Sequence, residues 1–243
     1  MRAVLTYHAI DHANSVVSLT PELFAAHVAW LAGGTVRVVA LTELLALPDD
    51  ADAVALTFDD ALASVATEAA PRLAAYGLPA TVFAVTDHVG KDNRWGGRVS
   101  ARVPVQPVLD WPALGRLAEA GWQIGAHTRR HPHLTRCSAI ELEDELAGSA
   151  AAITGELGRH PVAMAYPYGE CNESVVAAAA EHYSIACTTE HRPITSTDGA
   201  RELPRLDAWY FRGAEPFRGW GTAPFRQALA RRHLLRRVRR WWR

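Results

Sequence analysis

A (β/α) barrel of about seven or eight parallel strands is the architecture this sequence predicts, on three observations. Short apolar runs rich in β-branched residues alternate with stretches of helical period along most of the chain, the pattern of a parallel sheet joined by crossover helices. The strand candidates number eight, which favours a closed barrel over an open sheet. At 243 residues the chain is long enough for one such unit with a sizeable core.

In chain order, the first strand is residues 3–7, ending at Tyr7-His8. Thr20 is placed to cap a helix over 21–32, and a strand over 36–40 precedes a short helix over 41–47. The strand over 53–58 ends on Asp59-Asp60 and leads into a helix over 62–76 that Gly77 terminates. After the strand 80–85, residues 87–110 show no period and read as a long loop, a lid or groove wall. A helix over 112–120 stops at Gly121, the strand 122–126 follows, and a helix over 139–157 stops at Gly158. Strands over 162–166, 184–188 and 203–208 complete the set, with a helix over 173–182 and a polar loop over 190–200 between them.

Composition is that of an ordinary globular protein, 49% hydrophobic and 21% charged, and excludes a disordered or fibrous chain. Cys137, Cys171 and Cys187 are too few and too scattered for a disulfide framework or a zinc knuckle. The apolar start at Ala3-Val4-Leu5 meets Tyr7-His8 too soon to be a signal-peptide core, so the chain as given reads as cytoplasmic. A net charge of −1 conceals an asymmetry: residues 226–243 carry eight arginines and no acid, which leaves 17 basic against 26 acidic side chains over residues 1–225. The division is therefore a barrel over 1–225 and an Arg-rich tail over 226–243. In that tail Leu234, Leu235, Val238, Trp241 and Trp242 fall on one helical face, which suits peripheral contact with an anionic membrane. The alternatives are a helix packed on the acidic body, or disorder. The acidic body and the lack of a base-reading motif argue against nucleic acid.

The chemistry concentrates where strands end, the edge at which α/β barrels carry their sites. Asp59 and Asp60 close the apolar run Val54–Phe58, and two adjacent buried carboxylates require a compensating cation. Asp49-Asp50 serves as an internal control, since it follows Pro48 in a polar stretch and reads as a solvated turn. After another strand, His127 and His131 are spaced so that one turn of chain brings both rings to a single ion. Joined to the acidic pair they make a two-histidine, one-carboxylate set with open positions for water and substrate. One aspartate would bind the ion and the other would stay free to take a proton. A third segment, Ala165–Glu170, alternates Pro167 and Gly169, which suits a fixed loop presenting a backbone N–H to a reacting oxygen.

At these residues the sequence resembles the polysaccharide deacetylases, the NodB-homology group of carbohydrate esterases. Thr57-Phe58-Asp59-Asp60 matches the first motif of that family, His127-Thr128-Arg129-Arg130-His131 its H-[S/T]-x-x-H motif, and Tyr166-Pro167-Tyr168-Gly169 its third. Tyr7-His8-Ala9-Ile10 is similar to the opening of the branch that includes exopolysaccharide N-deacetylases. The resemblance implies a distorted, NodB-like (β/α) barrel and hydrolysis of N-acetyl or O-acetyl groups on a carbohydrate. It implies a divalent ion, usually Zn2+ with Ni2+, Co2+ or Mn2+ as alternatives, on Asp60, His127 and His131. Asp59 would be the general base, the Tyr168 N–H an oxyanion donor, and Thr128 a support for the metal loop.

Three departures qualify this. The arginine that often orients the base is missing, since Met164-Ala165 stands in its neighbourhood, and Arg205 is the candidate to replace it. The late Leu-x-His motif that supplies the general acid has no match. His8 is the preferred substitute because it ends the first strand, with His191 and His133 as alternatives. Asp207-Ala208-Trp209 is only a partial match to the acidic-tryptophan motif. These departures keep two further readings open: deformylation or amide hydrolysis on a small or lipid-linked sugar, and a glycan-binding barrel that has lost turnover.

Overall fold

The computed structural model describes residues 1–97 and 103–241, with side chains except at 96 and 237–241. Trp242 and the side chains of Val238 and Trp241 in the expected tail stripe thus lie outside the described residues. In chain order the elements are β1 (Arg2–Tyr7), β2 (Ala9–Ile10), β3 (Ser18–Leu19), α1 (Pro21–Ala32), β4 (Arg37–Val38), α2 (Leu41–Leu44) and β5 (Ala53–Phe58). Next come α3 (Ala70–Ala74), β6 (Thr81–Ala84), α4 (Trp111–Glu119), β7 (Gln123–Ala126), α5 (Ala139–Leu157), β8 (Ala163–Ala165), α6 (Glu173–His182), β9 (Ile185–Cys187), β10 (Arg205–Asp207) and α7 (Ala223–Trp241).

Seven strands run in parallel in the order β10-β1-β5-β6-β7-β8-β9, and a parallel bridge from Cys187 to Leu203, just ahead of β10, nearly closes the barrel. The eighth strand, β4, lies off this path. β5 pairs through Ala53 and Val54 with β4 and through Thr57 and Phe58 with β6, so β4 fills the lower part of a gap between two barrel strands.

The period of two along each strand fixes what faces the axis. Val4, Ala53, Ala55, Phe83, Ala163, Ala165, Ile185 and Cys187 pack together in one interior cluster. Ala3, Leu5, Tyr7, Val54, Leu56, Phe58, Val82 and Ala84 belong to the layer that includes α1 and α4 residues. Gly125 takes an inward place on β7, where a Cβ would stand 2.5 Å from the Phe83 ring and 2.7 Å from the Ala163 carbonyl. Small residues at 53, 55, 125, 163 and 165 leave the interior room for one long side chain, that of Arg205.

Several elements depart from their sequence expectations. The helix expected over 62–76 is a π-helical turn, Val65–Ala69, followed by α3, with Pro71 in the first turn of α3 where its missing N–H is tolerated. The helix expected over 41–47 is the single turn α2. β2 and β3 form a two-residue parallel pair that was not foreseen.

α1 contributes a buried histidine that the sequence gives no reason to single out. His27 donates from Nε2 to the Phe211 carbonyl at 2.9 Å and accepts from the Tyr7 hydroxyl at Nδ1, 3.1 Å away. Burial pulls its pKa down from 6.5 to about 4, the Phe211 carbonyl only partly opposing this. An unfolded chain would bind that proton near pH 6.5, so between about 4 and 6.5 the unfolded state holds more protons and stability falls as pH falls. We expect a loss of about 3 kcal/mol over this window from His27 alone, read as a falling melting temperature below pH 6. In His27→Gln that slope should flatten.

Candidate active site

The strand parity that lines the interior also aims the site. On β1, Val4 faces the interior and Tyr7 the helices, and the same alternation carries His8 to the barrel mouth. On β5 the interior set Ala53 and Ala55 continues through Thr57 to Asp59, and on β7 it continues from Gly125 to His127. Asp60 has the opposite parity, yet its φ of 68° turns the backbone back on itself. Its Oδ1 lies 3.6 Å from His127 Nε2 and 3.7 Å from His131 Nε2.

The mouth concentrates unusual backbone. Among the described residues, those with positive φ other than glycine are Asp60, Ala61, Thr128, His131, Tyr168 and Phe217, and all but Phe217 belong to the three motif loops. Left-handed backbone disfavours a side chain bearing a Cβ, so surrounding contacts must hold it. The Thr128 hydroxyl accepts from the His131 N–H at 3.0 Å, the supporting bond expected of that residue. Glu145 on α5, buried and not foreseen from sequence, accepts from the Arg129 and Arg130 N–H groups at 2.8 and 2.9 Å and from Arg130 Nε at 2.6 Å. On the third loop Gly169 has φ 67°, and a Cβ there would meet Thr189 backbone and side chain at 2.2–2.6 Å.

The adjacent carboxylates divide by partner. Asp59, 3% exposed, receives two hydrogen bonds from Arg205, at 2.6 Å to Oδ1 and 2.7 Å to Oδ2. Arg205 is itself fixed by donating from Nε to the Thr188 carbonyl at 2.8 Å and from Nη1 to the Thr6 hydroxyl at 3.1 Å. Burial alone would raise the Asp59 carboxyl; the charges of Arg205, His127 and His8 outweigh it and hold the group well below the usual carboxylate range. Asp60 has no such guanidinium. Burial raises its pKa, partly offset by His8 and His127, and its Oδ1 is buried without a hydrogen-bond partner.

That orphaned oxygen is the test of fit for a metal ion. Asp60, His127 and His131 each offer a ligand atom, all within 4.8 Å of one another. Tetrahedral zinc with bonds of about 2.0–2.2 Å sets its ligands roughly 3.4 Å apart, close to the Asp60–His separations. His127 Nδ1 donates to the Ala165 carbonyl at 2.7 Å, which leaves Nε2 as the acceptor facing Asp60. Burial, reinforced by His127, pushes the His131 pKa well down, so its ring is neutral. Two imidazoles and one carboxylate suit a divalent cation.

These groups line a cavity of about 500 Å³ walled by His8, Trp95, Val105, Tyr166, Tyr168 and Thr189. Trp95 and Val105 come from the aperiodic loop, whose residues 98–102 lie outside the described set. Trp95 stacks on the His131 ring at 5.2 Å, a contact that nothing in the aperiodic sequence announces. His8 Nε2 stands 3.8 Å from Asp59 Oδ2. The other two acid candidates sit elsewhere. His191 is buried beside Tyr210 and accepts from the Asp207 N–H. His133 pairs with Glu170 at 2.9 Å and stacks on Tyr168 from the neighbouring groove. Asp207 caps Trp209 N–H at 3.0 Å, so the partial acidic-tryptophan motif acts here as a turn. The control pair is a turn as well, Asp49 taking the charge of Arg2 at the opposite end of β1.

Comparison with known proteins bears on the family. The sequence model for the family described as Polysaccharide deacetylase matches residues 46–184, more than half of the chain. YxkH of Bacillus subtilis, whose name places it among polysaccharide deacetylases, is 26% identical over 209 residues, 84% of this chain and 70% of that protein. The poly-beta-1,6-N-acetyl-D-glucosamine N-deacetylase of Staphylococcus epidermidis is 22% identical over 203 residues, 78% of this chain and 67% of that protein. Among solved structures, BC0361, a polysaccharide deacetylase from Bacillus cereus, superposes with a TM-score of 0.71 at 22% identity over 85% of this chain. The chain spans 64% of that structure, less than two thirds of its length. At that identity the likeness shows a shared barrel fold.

Proposed function

The chain belongs to the polysaccharide deacetylase family, and on that premise we propose that it is a metal-dependent hydrolase removing N-acetyl groups from a glycan. The observation that carries the metal is the buried, partnerless Asp60 Oδ1 facing two imidazoles beside a carboxylate already neutralised by Arg205. A divalent ion held there, Zn2+ as the family resemblance implies, would supply Lewis acidity toward the acetyl carbonyl and the attacking water.

The chain's own residues do the rest. Asp59 stays an anion because Arg205 holds it, and each of its oxygens keeps a lone pair beyond the two guanidinium bonds with which to accept a proton from water. Tyr168, fixed with φ 60° between Pro167 and Gly169, offers its N–H to the developing oxyanion. His8 stands across the mouth and hands a proton to the departing nitrogen. Trp95 and Tyr168 flank His131 and limit water on that side.

His8 also favours amide over ester substrates. An amine cannot leave as its anion, whereas an alkoxide is a far better leaving group, so only the amide requires the acid. His8→Ala is therefore expected to slow release from N-acetyl sugars about 10²-fold or more and to affect O-acetyl sugars much less. Equal losses on both would remove His8 from this role.

The deciding experiment measures acetate release from N-acetylglucosamine oligomers and polymers together with metal content. Stripping the protein with a chelator should abolish release, and Zn2+ should restore it. Undiminished turnover in protein free of metal would sink the metal-dependent reading. Full metal occupancy with no release from any amide, formyl or ester substrate would favour a binding barrel instead.

A further inference from the structure

Helix α7 is mounted with Leu234 and Leu235 outward, and we propose that this face docks the protein on an anionic lipid surface. The barrel-facing side is defined by contacts. Phe225 packs against the core and Leu229 is buried. Arg232 and Arg236 lie over the Tyr210 ring at 4.7 and 5.4 Å. Arg236 also donates to the Thr189 carbonyl at 3.2 Å and stands 3.6 Å from Asp207. Positions 225, 229, 232 and 236 share one face of a helix with 3.6 residues per turn. Leu234 lies nearly opposite that face and Leu235 to its side, and they are 62% and 60% exposed. A surface helix ordinarily turns its apolar side to the core; among the described residues, Arg232 and Arg236 contact the barrel beyond Leu229 and two neighbouring leucines lie in water.

Charge decides what covers them. Residues 226–243 hold eight arginines and no acid, so the occupant must be anionic as well as apolar. A second copy would bring another arginine helix against the first, and like charges oppose that pairing. A nucleic acid offers phosphates but no phase for the leucines. An anionic bilayer offers both: headgroup charge for exposed Arg226 and Arg231, and an acyl boundary for Leu234 and Leu235. The excess of acid over base in residues 1–225 keeps the rest of the body off such a surface, which makes α7 the point of contact. Thr189, to which Arg236 is tied, lines the catalytic cavity, so docking sets the rim of that cavity beside the lipid. The docking itself does not depend on the catalytic reading; its use, presenting a membrane-held glycan, does.

The test is co-sedimentation of the full chain with vesicles of phosphatidylcholine, with or without phosphatidylglycerol. Binding is expected to the anionic vesicles at low salt, weakening as salt rises, and at least about 10-fold less to phosphatidylcholine alone. Leu234→Ser with Leu235→Ser leaves charge unaltered and should weaken binding about 10-fold or more, with unchanged melting and unchanged acetate release from soluble oligosaccharides. Arg226→Glu with Arg231→Glu should weaken it further. Failure to bind anionic vesicles overturns the proposal, as does a leucine variant that binds like the original chain. So would a dimer that the leucine variant dissociates, or duplex DNA binding that is tighter than vesicle binding and indifferent to the leucines.

Discussion

Arg205→Met should lower acetate release at least about 10²-fold and stability by about 3–5 kcal/mol. The stability loss follows from what is left behind. Asp59 is buried, and both its oxygens are bonded to Arg205; methionine fills the volume but leaves an uncompensated carboxylate. The activity loss has a pH signature that simple unfolding lacks. In the native protein the carboxyl is depressed, so the stability it contributes is present above the unfolded pKa and is lost only as pH falls through the lower folded value. Without the guanidinium, the burial that now opposes the depression would win and raise the pKa, so the acid limb of kcat/KM should move to higher pH. Arg205→Lys, a point charge without the fork, should recover part of the stability and less of the rate. An acid limb unmoved in Arg205→Met would show that Arg205 does not set the state of Asp59.

The barrel was legible in the sequence because its strands are short, buried and inward-facing at alternate positions, so apolar runs mark them within a residue or two. The ends of those runs then pointed to Asp59, His127 and His8. What could not be read was whatever depends on a partner far away in the chain. Glu145 sits in a long helix among other acids, and only the fold brings it under the Arg129–Arg130 backbone. Arg205 is the exception: the missing base-orienting arginine marks it as the candidate, and the fold brings it to Asp59 across 146 positions. The π-helical turn ahead of α3 was hidden because its apolar residues keep helical spacing while Pro71 removes an N–H. β2 and β3, two residues each, are too short for a period to show. The left-handed backbone at Asp60, Thr128, His131 and Tyr168 was invisible because none of these is glycine; there the loops accept local strain in order to aim side chains, and propensity misleads at a functional site.

Asp59 and Asp60 are neighbours in sequence and should nonetheless fail differently. Asp60→Asn keeps the shape and removes the charge that a cation on His127 and His131 would see, so metal content is expected to fall at least about 10-fold and activity with it. Asp59→Asn leaves the three ligand atoms untouched. It should retain metal near the level of the unaltered chain while losing roughly 10²–10⁴-fold in turnover. It should also leave Arg205 facing an amide, which costs some stability because the guanidinium then lacks its counter-charge. Measuring bound metal by elemental analysis alongside acetate release separates the two. The division rests on geometry: one carboxylate is paired with an arginine from β10, and the other turns through a positive φ to face two imidazoles. Loss of metal in both variants to the same degree would mean that the pair acts as one ligand, and that the water-activating base has to be sought elsewhere at the barrel mouth.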